Sequence, residues 1–140
     1  MKVLVATDGS ASALNALEYT KKIARNHQSY EVTILTVACS DAALARGVVF
    51  NPTELAVACN AFFKSHIDKA REMFEGEGIN VKTVIETGDP AGVILNYVKT
   101  QGIEKVVMGN RGLSKISGLI LGSVTSKVLA GLDVPVTLVK

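Results

Sequence analysis

Short, continuous apolar runs rich in valine and isoleucine alternate along this chain with longer stretches in which apolar residues return every three or four positions. Runs of the first kind suit strands buried on both faces, and those of the second suit amphipathic helices. The alternation therefore predicts a parallel sheet covered by helices on either side. The strand-like runs are Lys2–Thr7, Glu31–Val37, Asn80–Glu86, Glu104–Met108 and Val134–Val139. Leu14, Leu17, Ile23 and Ala24 recur near the helical period after the cap-like Ser10, which predicts a helix to about Asn26. A longer helix is expected from Pro52, where Asn51 suits the cap and proline the first helical position. Its stripe of Leu55, Cys59, Phe62, His66, Ala70 and Met73 is expected to face the sheet, and Gly76 and Gly78 to end it. Asp89-Pro90 to Gln101, closed by Gly102, and Ser123 to about Leu132 read as the remaining helices.

Strict strand–helix alternation winds through right-handed crossovers into a three-layer α/β/α domain of Rossmann-like type. Its five-stranded parallel sheet is expected in the order 3-2-1-4-5. Ligands of such sheets bind outside the carboxyl ends of the strands at the switch point, here between strands 1 and 4. Those ends carry Ala6-Thr7-Asp8-Gly9-Ser10 and Met108-Gly109-Asn110-Arg111-Gly112.

At 140 residues the chain reads as one domain, residues 1–140, long enough to bury roughly two thirds of its unfolded surface. With 48% hydrophobic and 20% charged residues and no low-complexity tract, it is expected to be globular. No apolar run approaches a bilayer span, and the apolar N-terminal run meets Asp8 without a small-residue cleavage site. Cytoplasmic location and no membrane partner are the expectations. The net charge of +2, with lysines and arginines scattered, offers no basic stripe for nucleic acid. Cys39 and Cys59 lack paired metal spacing and read as buried thiols, with a disulfide or redox role the lesser alternative.

Chemistry concentrates in Gly109-x2-Gly112-x9-Gly122-Ser123, which follows a strand and opens a helix. Glycines let backbone N–H groups crowd an anion, and a helix N-terminus adds aligned donors, so the pattern reads as a phosphate cradle. It is neither a Walker A loop nor a G-x-G-x-x-G fingerprint. Gly109 and Gly112 are expected to adopt positive φ and to leave room for sugar or phosphate. Ser123 offers a hydroxyl and a first-turn amide, while Lys115, Arg111 or Lys127 can offset ligand charge. A carboxylate is repelled by phosphates, so Asp8 belongs at the base or ribose end; its alternative role is a cap for the helix beginning near Ser12.

These residues, with a terminal Val134-Pro135-Val136 strand, resemble the universal stress protein family over essentially the whole chain, specifically its ATP-binding branch. The resemblance implies that Thr7 and Asp8, after Ala6, border ribose and adenine, and that Val37 offers its backbone to the adenine edge. It implies that Met108 and Gly109 line base and ribose and that Gly112, Gly122, Ser123 and Val124 hold the phosphates of ATP. Mg2+ or Mn2+ is expected only as a companion of those phosphates, with no protein carboxylate positioned to hold it. Two departures stand out: Asn110 replaces the frequent serine, and the segment Ala38–Phe50 is short, small and apolar.

Other residues read as structural. His66 has no partner at metal spacing and is expected to be a half-buried core histidine; His27 suits the dipole at its helix end. Phe62 and Phe63 read as one core residue and its neighbour, not as a stacking platform. No Ser/His/Asp or Cys/His set can be assembled, no metal ligands are expected, and Asp8 is the one acidic side chain expected at the switch point. Three classes of function follow: a nucleotide-dependent sensor in stress response, a slow ATPase or adenylyl-transferring enzyme, and a contact scaffold that binds no nucleotide. The first is favoured, with no catalytic residue assigned. The apolar edge strand Val134–Val139 points to a homodimer, as the resemblance does.

Overall fold

In β1 (Lys2–Ala6), Val3 and Val5 enter one hydrophobic cluster and Leu4 and Ala6 the other, all four buried, as the two-residue strand period requires of a sheet covered on both faces. The computed structural model describes residues 1–38, 52–112 and 121–140. After β1 come α1 (Ala11–Asn26), β2 (Glu31–Ala38), α2 (Pro52–Glu75), β3 (Val81–Thr87), α3 (Pro90–Gln101), β4 (Lys105–Gly109), α4 (Ser123–Gly131) and β5 (Val136–Val139). All neighbouring strands pair in parallel, in the order β3-β2-β1-β4-β5. This is the expected doubly wound topology.

Helices α1 and α2 cover one face through Ala16, Leu17, Ala24, Ile67, Ala70 and Phe74; α3 and α4 cover the other through Ala91, Ile94, Tyr97, Val98 and Val128. Ser10 caps α1 by accepting from Ala13 N–H. Asp89 caps α3 by accepting from Gly92 N–H, with Pro90 in the first turn, and Gly102 closes it in the left-handed conformation at φ 63°. Strand β5 starts two residues later than expected, at Val136, because Pro135 has no N–H to donate; its carbonyl accepts from Val106 instead. Among the described residues no helix is long and apolar enough to cross a membrane.

The phase of α2 corrects the sequence reading. Phe62 is 48% exposed, whereas Ile67, Ala70 and Phe74 are buried. Ala70 belongs to both possible stripes, and the helix turns the bulkier Ile67 and Phe74 inward. That moves the seam by one position, about 100° around the axis. The expected cap Asn51 lies outside the described residues. Cys59, expected as a buried thiol, is disulfide-bonded; the chain's other cysteine, Cys39, lies outside the described residues.

Candidate functional site

Two chain reversals meet at the carboxyl ends of β1 and β4. Beyond β1, Thr7 N–H donates to Leu35 O at 2.9 Å and Thr36 Oγ1 donates to Thr7 O at 2.7 Å, so β2 still holds this residue. The backbone then turns: Ser10 N–H donates to Asp8 Oδ1 at 2.9 Å, and Gly9 takes φ +80°. Asp8 thus stabilises the turn, while the helix cap proper is Ser10.

The reversal after β4 is held from three sides. Asn110 N–H donates to Val139 O at 2.8 Å, Gly122 N–H to Asn110 O at 2.9 Å, and the Arg111 carbonyl accepts from the hydroxyls of Ser10 and Ser12. Thr125 Oγ1, buried, donates to Gly109 O at 3.1 Å, tying α4 to the end of β4.

Why these positions are glycine differs from the expectation. Neither Gly109 nor Gly112 has positive φ. A Cβ on Gly109 would stand 2.8 Å from Ala13 N, so this glycine lets α1 pack onto β4. One on Gly112 would stand 2.7 Å from Asp8 Oδ2, and one on Gly122 would stand 3.3 Å from Gly112 N. Close approach of backbone and carboxylate, rather than backbone handedness, selects glycine here. The Asp8 carboxylate also lies nearer the glycine loop than electrostatic reasoning from sequence places it.

The structure brings Asp8, Arg111, Gly112 and Gly122 together beyond the carboxyl ends of β1 and β4, with Ser123 opening α4 beside them. Gly122 is the N-cap of α4 with extended φ and ψ; among the described residues no side-chain cap bond is made at this end, and no acidic residue occupies its first turn. Ser123 and Arg111 are exposed, as is Lys127 on the same helix. Val124 packs its side chain against the core, leaving its backbone as its contribution. Ala6 and Met108 pair across β1 and β4 and are buried, while half-buried Val37 is the penultimate residue of β2. Lys115 and the segment 39–50 lie outside the described residues. Among those described, no group of three or more His, Cys, Asp and Glu side chains could hold a metal ion.

One residue the sequence reading set aside is at this site. A Cβ on Gly9 would stand 3.0 Å from His66 Cε1, so the imidazole on α2 fills the space beside the Asp8–Gly9 turn. Phe62 meets that ring edge to face, with centroids 4.4 Å apart. Periodicity alone assigned His66 to the sheet-facing stripe and could not show which loop it would touch.

The sequence profile of the universal stress protein family matches residues 1–140. The chain belongs to the universal stress protein family. Universal stress protein YxiE of Bacillus subtilis is 32% identical over an alignment 146 positions long, gaps included, covering 99% of this chain and 98% of that one. The structure of the universal stress protein UspA from Lactobacillus plantarum superposes with a TM-score of 0.85 at 26% identity, covering 100% of this chain and 97% of that one. A universal stress protein from Archaeoglobus fulgidus, solved in complex with dAMP, shares the fold with a TM-score of 0.71 at 18% identity, covering 100% of this chain and 98% of the other. In this universal stress protein the switch point presents, among the described residues, a helix start with a glycine N-cap, a pinned glycine loop and the Asp8 carboxylate against Gly112.

Proposed function

We propose that this universal stress protein binds ATP in the crevice between β1 and β4 and acts as a nucleotide-dependent sensor or regulatory module in stress response. The observation that carries the reading is the start of α4, where a glycine N-cap without a side-chain cap opens beside the pinned loop Asn110–Gly112. Such an end directs N–H donors and a positive dipole at an anion. Gly112, Gly122, Ser123 and the Val124 backbone are the phosphate ligands, with Arg111 and Lys127 offsetting charge. Mg2+ or Mn2+ is carried by the phosphates themselves. Asp8 and Thr7 face ribose and base, Val37 offers backbone groups to the adenine edge, and Ala6, Met108 and Gly109 form the floor. The dAMP held by a family member of this fold supports an adenine nucleotide as ligand. The protein acts by retaining the nucleotide, with no catalytic residue assigned.

The protein works in the cytoplasm as a homodimer paired through β5. Val136, Thr137, Leu138 and Val139 lie at the sheet edge and are all half-buried, which suits strand pairing across a two-fold axis.

Chromatography of nucleotide released from the freshly purified, denatured protein, then calorimetric titration of the stripped protein with ATP, ADP, AMP and adenosine, tests the reading. Micromolar or tighter ATP binding that is lost in Gly122→Val is expected. Absence of binding to any nucleotide would make the glycine loop architectural and leave the contact scaffold as the protein's role.

A further inference from the structure

Helix α2 spans 24 residues, about 36 Å, against about 23 Å for the seven residues of β3. Its second half packs on the sheet through Ile67, Ala70 and Phe74. Its first half leaves Val57 and Phe62 exposed, at 65% and 48%. His66, one turn beyond Phe62, lies against Gly9, so this stretch of α2 adjoins the Asp8–Gly9 turn.

From the start of α4 the groups form a chain of contacts. Gly122 approaches Gly112, the Asp8 carboxylate stands against Gly112, Gly9 follows Asp8, His66 packs on Gly9, and Phe62 packs on His66. Anion donors, a hydroxyl acceptor and then aromatic rings are the order of partners that phosphate, ribose and base require. Phe63 backs the outer ring, edge to face at a centroid separation of 5.2 Å.

We propose that Phe62 and His66 form the base-binding wall of the nucleotide site, an aromatic surface on which the purine ring stacks. The proposal deepens the nucleotide-binding reading and rests on it. Phe62 supplies the exposed ring, and His66, meeting it edge to face, supports that ring and packs on the Gly9 turn that follows Asp8. The aromatic pair read from sequence as core residue and neighbour is thereby a recognition element, because the helix phase turns Phe62 outward.

Calorimetry of the full chain and its Phe62→Ala variant with ATP, adenosine and inorganic tripolyphosphate tests this. Phe62 is exposed, so the variant is expected to unfold at the wild-type temperature. Its affinity for ATP and for adenosine is expected to fall about tenfold, the scale of one lost base–aromatic stack, while tripolyphosphate binds as before. His66→Phe, which keeps a ring, is expected to bind adenosine better than His66→Ala. Unchanged adenosine affinity in Phe62→Ala, or an equal loss for tripolyphosphate, overturns the wall while leaving nucleotide binding standing. Wild-type protein that binds neither ATP nor tripolyphosphate overturns the nucleotide reading itself, and the wall with it.

Discussion

The hydroxyl of Ser12 donates a hydrogen bond to the carbonyl of Arg111, joining the first turn of α1 to the glycine loop 99 residues further along the chain. Ser10 donates to the same carbonyl at 3.3 Å. Turned toward these serines, the Arg111 carbonyl is held by α1, and the loop keeps its shape through contacts from α1, β5 and α4. This is preorganisation of a binding loop by the elements around it.

Gly109→Ala is expected to destabilise the unliganded protein. The added Cβ would lie 2.8 Å from Ala13 N and from the Ser12 carbonyl carbon, both backbone atoms that move only with α1. A cost of about 1–3 kcal/mol follows from overpacking, read as a lower midpoint in thermal or denaturant unfolding. Wild-type stability would show that α1 shifts freely.

Ser123→Ala separates binding from folding. Ser123 is exposed and is not the cap of α4, so stability is expected to be unchanged. Loss of a hydroxyl bonded to phosphate is expected to cost about 1–3 kcal/mol of ATP affinity, measured by calorimetry. Unaltered affinity removes the hydroxyl from the phosphate site.

Asp8→Ala removes the acceptor for Ser10 N–H and opens the turn before α1. Adenosine and ATP are expected to weaken by the same factor, because the carboxylate serves the nucleoside part. A loss confined to ATP would place Asp8 at the phosphates, beside Gly112.

Asp68 on α2 provides a pH test. The hydrogen bond from Lys64 at 2.7 Å, aided by the charges of Lys64 and Arg71, holds its carboxyl below the ordinary value of 3.8. A carboxyl lowered on folding contributes stability above its unfolded value and loses it as pH falls through the lower, folded one. The contribution is therefore present at neutral pH, declines once pH falls below about 4, and is gone only below the lower, folded midpoint. Lys64→Met is expected to raise the Asp68 titration midpoint in an NMR pH series; an unmoved midpoint would remove Lys64 as the cause.

Much of the fold was legible because its signals are local. Ser10, Asp89 with Pro90, and Gly102 announced helix ends that need only a few neighbouring residues to form, and the apolar runs announced strands. The stripe of α2 was misread because Phe62 and Ile67 both fit a helical period, and only packing against the sheet selects between them. At the candidate site the crevice and its glycines were legible, while the part played by His66 was not, since nothing local links it to Gly9.

The sequence by itself determined the order of elements, the sheet order and the meeting of the β1 and β4 ends, because alternation of strand and helix with right-handed crossovers leaves few other arrangements. Only the tertiary structure decided what each glycine accommodates: α1 at Gly109, the Asp8 carboxylate at Gly112, the loop backbone at Gly122 and the His66 ring at Gly9. Periodicity encodes which face of an element is apolar. The atom that fills the space above a given Cα depends on the packing of segments distant in sequence, and that is settled when the layers close.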